Sequence, residues 1–147
     1  MTRRLLPYWS SMTFVFVMSA AWLVAAAWPA SFWFDARKVH FSDTAFGASP
    51  AMTLDRAIKR PFDAAWTVAI RRWDGGWVAY CNAAGSQPYK TDSVLPKSPD
   101  LKWWTWNQCH PLIAGRYEVM TVWNLNLPWP LPDKRVELIS NVFEVRE

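Results

Sequence analysis

An uncharged apolar run from Met12 to Phe34 (MTFVFVMSAAWLVAAAWPASFWF) dominates the start of the chain, and short alternating segments without a helical period replace it from Val39 onward. At ~1.5 Å rise per residue a helix of that length reaches about 34 Å, against a bilayer core of ~30 Å, so the run predicts one transmembrane helix over 12–34. Arg3 and Arg4 precede it, and Asp35, Arg37 and Lys38 follow it. The triplet Phe32-Trp33-Phe34 suits a headgroup layer. This reading divides the chain into a short cytoplasmic N-terminus (1–11), the transmembrane helix (12–34) and an extracytoplasmic β-sandwich domain (35–147). Two other readings stay open. Ala25-Ala26-Ala27 offers the small residues of a signal-peptide cleavage site, and the run is also compatible with a buried core helix.

The remainder alternates as strands do. Trp66, Val68 and Ile70 share one face of a run from Ala64 to Arg72, with Thr67 and Arg71 on the other. Asp74-Gly75-Gly76 then predicts a hairpin, returning along Trp77 to Cys81. Asn82 to Pro99 is polar and rich in turn formers and reads as a long loop. Leu101 to Trp106 reads as a strand with aromatics on both faces. Gly115 to Leu127 places Tyr117, Val119, Thr121, Trp123 and Leu125 on one face. The prolines of Leu127-Pro128-Trp129-Pro130-Leu131-Pro132 remove ladder donors and make that stretch a tip. Arg135 to Val145 returns with a phase change that a bulge near Ser140 reconciles. Early strands near Val39 to Thr44 and Met52 to Ile58 bring the total to six or seven. Thr53 to Arg60 also admits one helical turn, stopped by Pro61.

Leu112, Gly115-Arg116-Tyr117 and the alternation Val119, Thr121, Trp123 resemble the tyrosine corner of immunoglobulin-like and fibronectin-III-like sandwiches, and Asn141 to Val145 resembles a last strand of such domains. The resemblance implies an all-β, Ig-like antiparallel sandwich of six to seven strands preceded by the transmembrane helix, with Tyr117, Gly115 and Trp66 defining the fold. Val119 stands where antibody domains carry cysteine, so their cysteine–tryptophan–cysteine pin is missing. The chain as a whole is also similar to small membrane proteins of tailed phages and prophages, a likeness carried by no motif.

Charge changes little. The net charge is +4, but Arg3 and Arg4 lie ahead of the apolar run, and the other basic residues are scattered. No basic stripe follows a phosphate backbone, so no nucleic-acid partner is expected. The two cysteines, Cys81 and Cys109, are an even pair. In an oxidising compartment they predict a disulfide, which also orients the chain with its N-terminus cytoplasmic and its domain periplasmic or extracellular. Free buried thiols and a metal site with His40 or His110 are the alternatives; the spacing fits no zinc pattern, so no metal and no cofactor are expected.

Catalysis needs a nucleophile with its base, paired carboxylates or a metal. His40 and His110 lie in no triad motif, the aspartates fall at turns, and no glycine-rich phosphate loop occurs, so the chain is not expected to be an enzyme. Tryptophan is the unusual component. Twelve are present, four of them in or beside the apolar run. Lys102-Trp103-Trp104-Thr105-Trp106-Asn107-Gln108 places Trp104 and Trp106 on one strand face beside Lys102 and Asn107, a surface that suits sugar rings, peptides or aromatic partner residues. Packing into the core is the competing reading. Trp129 is either a contact knob held by its prolines or a lid over the sandwich end. The expected role is a membrane-tethered module that binds another envelope or membrane protein by contact. A glycan-binding module using the same tryptophans is one alternative, and a hydrolase built on dispersed carboxylates is another.

Overall fold

A computed structural model describes residues 6–92, 96–99, 102 and 109–147. The first described element is helix α1 (Leu6–Ala27), which stops well short of Phe34. Trp28 N–H closes a turn onto the Ala25 carbonyl at 3.3 Å. Pro29, without an N–H, then takes an extended conformation (φ −69°, ψ 151°), and a single 3₁₀ turn follows over Ala30–Phe32. Trp33 and Phe34 do not reach a headgroup layer; they are 5% and 1% exposed in the core of the β domain.

The transmembrane helix expected over 12–34 is therefore corrected. Among the described residues no helix is long and apolar enough to cross a membrane. The break at Pro29 is the physical reason. It leaves α1 an unbroken apolar stretch of only Met12 to Ala27, about 24 Å of helix against a hydrocarbon core of ~30 Å.

Among the described residues eight strands follow: β1 (Phe34–Phe41), β2 (Thr44–Ala45), β3 (Met52–Ile58), β4 (Phe62–Trp73), β5 (Trp77–Tyr89), β6 (Gly115–Asn126), β7 (Lys134–Ile139) and β8 (Phe143–Arg146). β1 and β3 form a two-stranded antiparallel sheet. The larger sheet runs β2-β8-β6-β4-β5, with β7 also pairing β6. The six- to seven-stranded, wholly antiparallel arrangement is corrected on two points. β2 pairs β8 in parallel. The C-terminal return is two strands rather than one bulged strand. At its break Ser140 N–H donates to the Val119 carbonyl and Ser140 Oγ accepts from Val119 N–H, both at 2.9 Å, so the side chain stands in for a ladder partner.

The predicted hairpin forms at Asp74-Gly75-Gly76, with Gly75 at φ 69°. β5 then continues to Tyr89, through residues expected to be loop. It lies at the edge of the sheet, where Pro88 leaves no central ladder donor missing. The strand expected over Leu101 to Trp106 lies outside the described residues, apart from Lys102.

The core has two parts. One gathers Val39, Phe41, Ile70, Tyr117, Val119 and Phe143. The other gathers Phe34, Phe62, Tyr89, Trp123 and Leu125. Cys81 and Cys109 are bonded (Cα–Cα 5.2 Å) and join the first. Tyr117 is wholly buried and donates its hydroxyl to the Ile113 carbonyl at 2.8 Å. Gly115 opens β6 at φ 151° against the Arg72 guanidinium.

Candidate functional site

Two features of the surface and interior stand apart from ordinary packing. The first is at the β6–β7 tip. Leu131 N–H closes a turn onto the Pro128 carbonyl at 3.1 Å, and Trp129 within that turn is 93% exposed. Proline on both sides fixes the backbone that carries the indole. α1 stands beside this tip. Trp22 Nε1 donates to the Pro130 carbonyl at 2.6 Å, and the Lys134 ammonium donates to the Ala26 carbonyl, one of the orphan acceptors at the helix C-terminus. The helix itself presents Met12, Phe14, Val15, Phe16 and Leu23 to solvent. A helix apolar on every side is stable when something covers it, and a contiguous apolar surface of this kind marks an interaction site.

The second feature is a cavity of about 160 Å³ where β3 faces the sheet of β4, β5 and β6. It lies at the seam of the two core parts. Trp66, Val68, Tyr89 and Trp123 come from the larger sheet, and Met52 and Leu54 from β3. Three polar side chains without an aromatic ring line it, Arg56 from β3, Gln87 from β5 and Thr121 from β6. Arg56 Nε and Thr121 Oγ1 are buried and make no hydrogen bond. Burial pushes the Arg56 pKa below the ordinary arginine value, yet a guanidinium stays charged at any physiological pH. The cavity therefore holds a cation that lacks an ion pair with any described carboxylate.

Of the residues singled out from the sequence, Trp129 is at the surface, and Cys81 and Cys109 form the expected bond. Trp66 is half-buried and packs across Gly85 on the cavity wall. Lys102 is exposed with φ 43°. Trp104, Trp106 and Asn107 lie outside the described residues. Arg56 and Thr121 were not anticipated. The signal was present: Arg56 keeps the period of Met52, Leu54 and Ile58, and Thr121 that of Tyr117, Val119, Trp123 and Leu125. A charged residue in phase with an apolar strand face is a candidate for interior work.

Among the described residues no three His, Cys, Asp or Glu side chains gather as a metal site. His40 and His110 are both exposed. No known protein family, no curated protein and no solved structure matches this chain.

Proposed function

We propose that this protein is a binding module that works by surface contact with another protein, outside the cytoplasm. The observation that carries the reading is Trp129, 93% exposed on its proline-framed turn. The apolar face of α1, tied to that turn through Trp22 and Pro130, extends the contact surface. Tryptophan, phenylalanine and methionine are the residues that protein interfaces favour. The Cys81–Cys109 bond supports an oxidising compartment.

The test is retention of a partner by the tagged full chain, purified from the cells that make it. Wild type and Val78→Asp, a change at an exposed position of the opposite sheet edge, are expected to hold the partner in fixed stoichiometry. Trp129→Ala and Phe16→Asp are each expected to weaken retention at least ~30-fold, the effect of losing a hot-spot residue. Equal retention by all four proteins, or retention by lipid vesicles with no protein partner, contradicts the reading.

A second reading concerns α1 alone. The helix ends at Ala27, the last of the small residues that suit a leader peptidase. On that reading α1 is an export segment, removed before the domain acts through its tip. Intact mass decides: a chain beginning at Trp28 establishes removal, and a full-length chain excludes it. Trp129 belongs to both readings.

A further inference from the structure

We propose that the cavity between the sheets is a binding site for a small organic carboxylate bearing one flat apolar group. The chemistry follows from the walls. Three aromatic side chains, Trp66, Tyr89 and Trp123, line the cavity from the larger sheet, and aromatic faces favour a flat, apolar body between them. Arg56 supplies the one guanidinium of the lining, a planar fork that matches a carboxylate. Thr121 Oγ1 supplies a hydroxyl without a partner, on a residue only 4% exposed.

A packing role does not account for these groups. An apolar side chain at position 56 would continue the face of Met52, Leu54 and Ile58 and join the two core parts. The chain instead places a cation at their seam, with its Nε buried and unbonded. Buried polar groups in native proteins have partners, so a buried donor and a hydroxyl beside the same empty space point to a partner that comes from outside. The size agrees. A dry cavity of about 150 Å³ accepts benzene, and this one measures about 160 Å³. It admits a single ring, with the carboxylate turned to Arg56. The single cationic group of the lining suits a monoanion, and its three aromatic rings suit an apolar body that a phosphate lacks.

The experiment uses the full-length protein labelled with ¹⁵N, following the indole N–H signals of Trp66 and Trp123. Benzoate and phenylacetate are titrated against benzamide, benzylamine and inorganic phosphate. The carboxylates are expected to shift both indole signals saturably. Benzamide, the neutral counterpart of the same size, is expected to bind about tenfold more weakly or worse, the loss of a charge-assisted pair. Benzylamine and phosphate are expected to leave both signals in place. Arg56→Met is expected to erase the preference for benzoate over benzamide, and Thr121→Val to weaken benzoate. Equal binding of benzoate and benzamide, no saturable shift, a response to phosphate instead, or benzoate binding unchanged by Arg56→Met each overturns the proposal. If Arg56→Met does not fold, the comparison of ligands on the wild-type chain decides alone.

Discussion

Trp66 packs across Gly85 of the neighbouring strand, where an added Cβ would stand 2.6 Å from the indole Cζ2. The ring is wide and held between strands, so it cannot yield as a flexible chain end would. Gly85→Ala is therefore expected to destabilise by ~1–3 kcal/mol, read as a lower urea midpoint, despite the usual advantage of alanine over glycine in a strand. Tyr117 is the second informative position. Removing its hydroxyl strands the Ile113 carbonyl, so Tyr117→Phe is expected to cost ~1–2 kcal/mol at neutral pH. Burial pushes the Tyr117 phenol above its ordinary value of about 10. Its neutral form is favoured in the fold, so its contribution is intact below that ordinary value and is lost as pH rises through the raised one. Alkaline titration of stability is expected to be shallower above pH ~10 in Tyr117→Phe than in wild type; parallel curves contradict this. The sequence pointed to Tyr117 through its place at the start of an alternating strand. It was silent on Gly85, because a glycine's importance comes from a side chain that only pairing brings across it.

At the scale of elements, alternation was readable wherever one face is buried and the other wet, as in β4 from Phe62 to Trp73. It failed in three places for separate reasons. β5 beyond Cys81 carries Asn82, Gly85 and Pro88, residues that discourage a strand in isolation, and only pairing with the whole length of β4 makes them one. The return after Lys134 is split because Ser140 satisfies Val119 from its side chain, a local bond that no period reveals. The apolar run extends through Pro29 in sequence, and the break there leaves an apolar helical stretch, Met12 to Ala27, shorter than a membrane's hydrocarbon core. Arg56 was legible as an arginine in the phase of Met52 and Leu54, but a competing helical reading of that segment obscured it. The disulfide was legible from cysteine number alone. It closes a loop of sequence separation 28, worth about 3.5 kcal/mol by loop entropy. Cys81→Ala/Cys109→Ala is expected to lose roughly that amount in denaturant unfolding, and a loss below ~1 kcal/mol contradicts the entropic account.

At the scale of the molecule, a β domain of two unequal sheets carries the proposed contact surface at one end. The helix C-terminus, the Pro128–Leu131 turn and the exposed indole of Trp129 meet there through two hydrogen bonds. The sequence named Trp129 but left it between a knob and a lid; the indole is exposed rather than folded over the sandwich end, and its contact role is the proposal. The most direct measurement is site-specific photocrosslinking inside the producing cell, with the photoreactive residue at position 129 and, as a control, at position 78. A discrete protein adduct of one mass from position 129, absent from position 78, is the expected result. No adduct from position 129, or the same adducts from both positions, contradicts a contact module built on this tip.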